Sequence, residues 1–183
     1  MKFTETPLSG AWLVELEPHH DNRGFFARTF SAREFRERNL VGDLTECSLS
    51  RNIRALTLRG MHFQRPPHAE TKLVRVVRGR IHDVIVDIRA SSPTYQQWFG
   101  VELSAATGLA LYIPEGFAHG FLTLEDESDV VYQITDTFLP GAAAGFAWND
   151  PTIGIAWPAK PLVISEADRT RPCWKNLAAA NHE

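Results

Sequence analysis

The stretch LVRVVRGRIHDVIVDI, residues 73–88, decides the fold class. It contains two runs rich in β-branched residues, separated by the turn Arg78-Gly79-Arg80. In the second run the side chains alternate between two faces, which predicts a strand and not a helix. One face carries His82, Val84, Val86 and Ile88, and the other carries Asp83, Ile85 and Asp87.

Further strands are predicted on both sides of this stretch. Residues 11–16 (AWLVEL) form a first strand, and WFGVELS and LALYI flank the short turn Ala105 to Gly108 as a hairpin. The run DVVYQITDTF forms another strand, with Val130, Tyr132 and Ile134 on one face. Many short strands separated by turn signals predict an antiparallel sandwich or barrel, with the jelly roll as the leading candidate.

The remaining segments contain little helix. Ser31 followed by Glu34 forms a capping box that opens a short N-terminal helix, SAREFRERNL. The segment DNRGFF turns at Asn22 to Gly24, and the chain from Pro140 onward is expected to wrap the sheet irregularly. The sequence has no linker or repeat, so the prediction is one all-β domain over residues 1–183.

Composition and charge restrict the function. The formal net charge is −3, whereas a general nucleic-acid binder is clearly basic, so no nucleic-acid partner is expected. The start, MKFTETPLSGAWLVELEP, has no unbroken apolar region, and no run approaches the roughly 20 residues that cross a bilayer. Cys47 and Cys173 are too isolated for a disulfide framework or a thiolate metal site. We therefore expect a cytoplasmic protein with no membrane partner.

Two histidine-containing stretches resemble cupin motifs. GLALYIPEGFAHGFLT reads G-x5-P-x-G-x2-H-x3-T, similar to the second cupin motif, and its tight turn directs His119 into the barrel. The first motif needs a His-x-His pair and a Glu, but in GMHFQRPPHAE Gln64 takes the place of the second His. His68 and Glu70 could complete a metal site only through an unusual loop. No metal is expected, and a metal-dependent cupin enzyme is kept as an alternative.

A longer set of strings resembles one family. The run LRGMHFQRPPHAETKLVRVVRGRIHDVIVDIRASSPTYQQWFGVELS is similar to the dTDP-4-dehydrorhamnose 3,5-epimerase family, and so are DNRGFF, YIPEGFAHGF, VVYQITD, WNDPTIGIAWP and ISEADR. The resemblance extends from about Asp21 to Asp168. It implies a cupin-type jelly-roll barrel and an isomerase acting on a nucleotide-diphosphate sugar without a cofactor. It also implies a homodimer that exchanges an N-terminal arm or strand.

Epimerisation beside a ketone has its own chemical requirements. A ketone at carbon 4 acidifies the hydrogens on carbons 3 and 5, because the carbanion becomes an enolate. The enzyme then needs a base on one ring face, an acid on the other, and cations near the enolate oxygen. His62 suits the base and Tyr132, on an inward strand face, suits the acid. The family pattern makes Asp168 the partner of His62. Lys72 completes the predicted catalytic set by supplying positive charge near the ketone and the phosphates.

The resemblance also implies a substrate-binding set. In the family pattern Arg23 reaches the pyrophosphate in a neighbouring subunit's site and Phe26 lies near the base. Arg59 supplies positive charge to the pocket and His119 supplies a donor. The complete predicted set is Arg23, Phe26, Arg28, Glu46, Ser48, Arg59, Gln64 and His119.

Departures from the family pattern cluster where the nucleotide binds. Arg28 stands in place of a Glu, and Glu46 and Ser48 stand near an expected Gln and Asn. Thymine offers a ring N–H donor that suits a carboxylate, whereas cytosine offers a ring-nitrogen acceptor beside a carbonyl that suits an Arg. The hypothesis is that Arg28 favours a base that presents acceptors, with cytosine as the simplest case, which makes CDP a candidate nucleotide besides dTDP. The alternative is that Arg28 faces solvent or a phosphate.

Other functions stay open at this point. The enzyme could invert carbon 3, carbon 5 or both, and a sugar-nucleotide 3,4-ketoisomerase on a similar barrel is a second candidate. A catalytically silent binding module would be expected to lack His62, Tyr132 or Asp168, and all three are present.

Overall fold

The two runs on either side of Gly79 enter different sheets in the structure, a computed structural model that describes residues 1–175. Gly79 has a φ of 73°, a left-handed conformation that glycine adopts without strain. The chain reverses at this turn and passes from one sheet to the other. Residues 176–183, the last part of the predicted domain, lie outside the described residues.

Short strands make up most of the regular structure. In chain order they are β1 (Lys2–Glu5), β2 (Trp12–Glu15), β3 (His19–Asp21), β4 (Gly24–Phe26), β5 (Glu46–Asn52), β6 (Thr57–Gln64), β7 (Lys72–Arg78), β8 (Arg80–Asp87), β9 (Trp98–Ser104), β10 (Ala110–Ile113), β11 (Phe117–Thr123), β12 (Ser128–Ile134), β13 (Ala143–Gly145) and β14 (Val163–Ile164). The helices are α1 (Ala32–Arg36) and α2 (Glu166–Arg169). Within residues 1–175, no helix has the length and apolar character that spanning a membrane requires.

Two sheets face each other. The first has the strand order β1-β2-β10-β7-β12-β5, and the second has the order β13-β6-β11-β8-β9, with β14 added parallel to β6. Strands β3 and β4 form a separate hairpin at the turn predicted in DNRGFF. The repeated crossing between two antiparallel sheets is a cupin-type jelly roll, so the predicted all-β fold class is confirmed.

The inward faces of the sheets form the main core. The first sheet contributes Val74, Val76, Leu111, Ile113 and Val130, and the second contributes Ile81, Ile85, Leu103, Phe117 and Phe121. Each of these side chains is almost fully buried. Burial of this apolar area supplies most of the folding free energy, at about 25 cal/mol per Å² removed from water.

Separate segments cover the two outer faces. Phe35 of α1 packs on the first sheet against Leu73 and Tyr112. On the second sheet, Phe146 and Trp174 of the C-terminal segment pack against outward residues of β6, β8 and β11. Asp150 holds that segment in place, because its carboxylate accepts backbone hydrogen bonds from Trp174 at 2.6 Å and from Thr152 at 2.8 Å. The C-terminal part is thus largely irregular, as predicted, with β13, β14 and α2 as its regular pieces.

Two local predictions need correction. The predicted hairpin of WFGVELS and LALYI is wrong, because β9 pairs with β8 while β10 pairs with β2 and β7 in the other sheet. The predicted helix starts as expected, with the Ser31 hydroxyl accepting from the Glu34 N–H, but it ends at Arg36. Asn39, three residues after the end of the helix, adopts a left-handed φ of 58°, so the helix cannot continue to Leu40.

Candidate active site

A bulge in β6 sets the directions of the side chains in the site. In the pairing of β6 with β11, His119 lies opposite His62 and Phe121 lies opposite Arg59. The two pairs are therefore three residues apart along β6 but only two residues apart along β11. Side chains three residues apart normally point to opposite faces of a strand. The extra residue lets both His62 and Arg59 point between the sheets.

Glycine makes the bulge possible. Gly60 has a φ of 137°, a conformation that other residues rarely adopt. A Cβ on Gly60 would lie 2.6 Å from the Cα of Gly120 on β11, closer than packed atoms allow. The two strands can approach this closely only because neither residue carries a side chain.

The side chains converge on a cavity of about 540 Å³ between the sheets, a size suited to a small-molecule ligand. Most of the predicted site residues line it: His62, Tyr132, Lys72, Glu46, Ser48, Arg59, Gln64 and His119. Asp168 lies behind His62 and is almost completely buried. The structure therefore brings the four predicted catalytic residues together.

His62 and Asp168 form a hydrogen-bonded pair. Nε2 of His62 lies 2.6 Å from Oδ1 of Asp168, although the two residues are 106 positions apart. Ser165 caps the short helix α2 by accepting the N–H of Asp168 at 3.1 Å, which holds Asp168 against β6. Nδ1 of His62 makes no hydrogen bond within residues 1–175, and the ring borders the cavity. With its proton on Nε2, the imidazole has Nδ1 available as a base.

The carboxylate of Asp168 stays ionised over a wide pH range. Burial by itself raises the pKa of Asp168, but the hydrogen bond and charge of His62 lower it, as do hydrogen bonds from Arg171 and from the Gly60 N–H. Together these contacts bring the pKa down to about 2. The carboxylate is therefore charged, and can orient His62, throughout the physiological range.

Tyr132 borders the cavity from the opposite sheet. It lies on β12 of the first sheet, whereas His62 lies on β6 of the second. Burial, together with the negative charge of Asp83, raises the pKa of Tyr132 above its ordinary value of 10.0, although Arg59 opposes the shift. The phenol consequently keeps its proton at neutral pH and has one to donate.

A second His–Asp pair lies beside Tyr132. Nε2 of His119 is 2.7 Å from Oδ1 of Asp83, and both side chains are buried. The rings of His119 and Tyr132 meet edge to face, with centroids 5.8 Å apart. The pair fixes the orientation of His119 and places a negative charge beneath the phenol.

The cationic residues of the cavity are held by polar partners. Nζ of Lys72 lies 2.8 Å from Glu70, and Nε of Arg59 donates to Asn52 at 2.8 Å. Gln64 is engaged at both ends of its amide: Nε2 donates to Glu70 at 3.0 Å, and Oε1 accepts from the Leu139 N–H at 2.8 Å. Gln64 thus joins the loop before β7 to the loop after β12 and helps to shape the cavity wall.

Three predicted binding residues lie outside this cavity. Arg23 and Phe26 belong to the exposed β3–β4 hairpin, where Arg23 pairs with Asp21. Arg28 lies 3.6 Å from Glu34 of α1, in a separate depression that it shares with Phe26. Within one chain, none of the three reaches the residues around His62.

The sequence analysis missed three polar residues of the site. From the sequence, Asp83 is placed only on a strand face, Glu70 is considered only as a metal ligand, and Arg171 is not predicted as a site residue. An Asp in a strand of β-branched residues was a usable signal for Asp83, because a buried carboxylate needs a partner. Nothing in the sequence distinguishes Arg171 from a solvated surface arginine.

The possible metal ligands have other contacts. His68 lies 3.4 Å from Asp136, and Glu70 pairs with Lys72 and Gln64. Residues 1–175 contain no group of three or more His, Cys, Asp or Glu side chains that could hold a metal ion.

Residues 5–176 match the family model for dTDP-4-dehydrorhamnose 3,5-epimerase. A dTDP-4-dehydrorhamnose 3,5-epimerase from Methanothermobacter thermautotrophicus is 45% identical over 179 residues, covering 96% of this chain and 94% of the relative. Two solved structures are also similar along nearly their whole length.

The first solved structure is a dTDP-6-deoxy-D-glucose-3,5-epimerase from Legionella pneumophila in complex with dTDP-4-keto-L-rhamnose. Its TM-score is 0.91 at 33% identity, covering 98% of this chain and 95% of the other. The second is a 3'-monoepimerase from Streptomyces bikiniensis in complex with dTDP-quinovose. Its TM-score is 0.89 at 30% identity, covering 96% and 89%.

The ionised Asp168 makes the stability of the protein depend on pH. Because the pKa of its carboxyl falls from 3.8 to about 2 on folding, Asp168 contributes about 2 kcal/mol of stability at neutral pH. That contribution is present above about pH 4 and is lost as the pH falls towards 2. We expect Asp168→Asn to be less stable than the wild type at pH 7, and the difference to shrink over this acid range.

Urea unfolding followed by circular dichroism between pH 2 and pH 7 measures this difference. Asp43→Asn is the matched control, because Asp43 is exposed and pairs only with Arg36 at the surface. A constant stability difference between the wild type and Asp168→Asn across the acid range would contradict the prediction.

Proposed function

Because the chain belongs to the dTDP-4-dehydrorhamnose 3,5-epimerase family, a family of isomerases, we propose that it epimerises a nucleotide-diphosphate-linked 4-keto-6-deoxy hexose in deoxysugar biosynthesis. The reaction inverts carbon 3, carbon 5 or both. His62 is the base, Asp168 orients it, Tyr132 is the acid, and Lys72 completes the catalytic set.

One observation carries this proposal: the base and the acid project from opposite sheets. His62 borders the cavity from the second sheet and Tyr132 from the first. A sugar ring bound between the sheets then presents one face to each of them. Inversion of a carbon requires this arrangement, because the proton must leave from one face and return to the other.

The reaction balances as a pair of proton transfers. Nδ1 of His62 takes the proton from the carbon beside the ketone, and the electron pair moves onto the ketone oxygen as an enolate. Lys72 and Arg59 are two cations of the cavity that can stabilise the oxygen charge. Tyr132 then donates its proton to the opposite face of the same carbon, and exchange with solvent restores both residues.

The surroundings of each group suit its role. The charge of Asp168 stabilises the imidazolium that forms when His62 takes the proton. The raised pKa of Tyr132 keeps the phenol protonated before the transfer. His119, oriented by Asp83, offers a further polar group on the floor of the cavity.

Arg28 carries a narrower proposal about the nucleotide. Its guanidinium offers only donors, so it favours a base that presents acceptors, of which cytosine is the simplest. In a single chain Arg28 lies outside the cavity and close to Glu34. Recognition of a base by Arg28 therefore requires a second chain.

The second chain is proposed as the partner in a homodimer that exchanges its N-terminal arm. The β3–β4 hairpin exposes Phe25 and Phe26 by 62% and 77%, and exposed neighbouring aromatic residues are typical of a contact surface. Strand β5 is one of the two edge strands of the first sheet and exposes Leu49. An arm that covers this edge would bring Arg23, Phe26 and Arg28 of one chain to the cavity of the other.

The first prediction concerns the two proton-transfer residues. In heavy water the wild type should incorporate deuterium at carbon 3, carbon 5 or both of the matching 4-keto-6-deoxy sugar nucleotide, read by NMR. His62→Asn should lose several orders of magnitude in turnover while retaining nucleotide binding. Tyr132→Phe should still exchange deuterium but invert much more slowly, because a proton can leave and return on one face.

Either of two results would contradict these roles. One is full inversion by Tyr132→Phe, and the other is a lack of exchange with dTDP-, CDP-, GDP- and UDP-linked sugars by folded protein that binds nucleotide. Asp43→Asn, a change at an exposed residue that pairs with Arg36, serves as the control and should exchange and invert like the wild type.

The second prediction concerns the nucleotide. The wild type is expected to bind CDP more tightly than dTDP in calorimetric titrations, and Arg28→Glu is expected to reverse the preference. Arg33→Glu, a nearby change of the same charge in α1, provides the control. A preference that is the same in the wild type and in Arg28→Glu would remove the role of Arg28.

The third prediction tests the exchanged arm by complementation. Arg23→Glu and His62→Asn should each be nearly inactive, but co-expression should restore up to about a quarter of wild-type activity. Each mixed dimer then has one intact site, built from the normal arm of one chain and the normal cavity of the other. Co-expression of His62→Asn with Asp168→Asn should restore nothing, because both defects lie in the cavity itself.

A further inference from the structure

The side chain of Arg171, two residues after the end of α2, contacts the His62–Asp168 pair. Its Nε donates to Oδ1 of Asp168 at 3.0 Å, the same oxygen that lies 2.6 Å from Nε2 of His62. The side chain of Arg171 is 25% exposed and borders the cavity. One carboxylate oxygen is thus shared by the imidazole and by a guanidinium.

The fold leaves room for this guanidinium beside His62. Gly145 of β13 pairs with His62 of β6, and a Cβ on Gly145 would lie 2.9 Å from the Cζ atom of Arg171. The same Cβ would lie 2.2 Å from the carbonyl oxygen of Met61. Glycine at this position allows β13 to pair closely with β6 and allows Arg171 to lie across it.

We infer that Arg171 is a positioning residue of the active site, which holds the Asp168 carboxylate and limits how strongly Asp168 retains a proton on His62. The inference rests on the proposed function only in taking His62 as the base. Arg171 acts through Asp168, and no contact with the substrate is required of it.

The physical reason lies in competition for Oδ1. A carboxylate paired with a histidine alone favours the protonated imidazolium, which cannot accept a proton from the substrate. A permanent positive charge on the same oxygen opposes that protonation, because the imidazolium and the guanidinium repel each other. Removal of the Arg171 charge should therefore favour the imidazolium form of His62, which cannot act as a base.

Other charged groups face the cavity and are unchanged by a substitution at Arg171. They are Glu46 from β5, Arg59 from β6, Glu70 before β7, Lys72 from β7, His119 from β11 and Tyr132 from β12. Asp83 lies behind His119. The effect of Arg171 is therefore read as a difference between variants in which these groups stay constant.

The test is an NMR titration of the His62 imidazole in the substrate-free protein. Arg171→Gln is expected to move the midpoint of the His62 titration upward by about half a pH unit or more. Arg171→Lys, which retains the charge but not the planar Nε–H, should move it in the same direction by less. Arg169→Gln is the matched control, because Arg169 is the last residue of α2 and, within residues 1–175, its side chain pairs with Glu166 and donates to the Ile164 carbonyl, away from Asp168.

A second measurement follows the same group through the reaction. The acid limb of the kcat/KM profile should shift upward with the NMR midpoint in Arg171→Gln, and KM for the sugar nucleotide should change little. A purely structural role would lower activity at every pH and leave the midpoint in place.

The outcomes separate this inference from the proposed function. A His62 midpoint in Arg171→Gln and Arg171→Lys that equals that of the wild type and Arg169→Gln would overturn the inference, even if the enzyme is an active epimerase. A shifted midpoint supports it, even if deuterium exchange fails with every sugar nucleotide. If Arg171→Gln does not fold, Arg171→Met takes its place, because it also removes the charge, and an unchanged His62 midpoint in that variant would overturn the inference.

Discussion

The bulge at Gly60 is the constraint on which the rest of the site depends. It turns Arg59 and His62 to the same side of β6, which a regular strand would not do. It also directs the Gly60 N–H to Oδ2 of Asp168 at 3.4 Å. Without the close approach of Gly60 and Gly120, the base would have neither its direction nor its carboxylate partner.

The fold places polar chemistry between two sheets and surrounds it with apolar packing. Ionisable groups are tolerated there because they have partners: His62 with Asp168, His119 with Asp83, and Lys72 with Glu70. Phe146 and Trp174 cover the outer face of the second sheet. The C-terminal segment is therefore packed on the sheet both before and after Asp168 in the sequence. The stability of that segment and the orientation of the base are therefore linked.

Sequence analysis was accurate for features that depend on neighbouring residues. The alternation in β8 and β12, the Ser31 cap and the Asn22–Gly24 turn follow from local sterics and hydrogen bonds, and all are present. The hairpin of β9 with β10 was wrong because an alternating run shows that a strand exists but not which strand it pairs with. The helix was too long because the left-handed Asn39 was not anticipated.

The sequence by itself determined the fold class, the family and the chemical types of residue available at the site, because patterns and spaced motifs are properties of the chain order. Only the tertiary structure decided which of those residues meet. Asp168 reaches His62 across 106 positions, and Arg171 reaches the same oxygen through the end of a short helix. Such contacts depend on long-range packing and on a bulge, and neither leaves a periodic signal in the sequence.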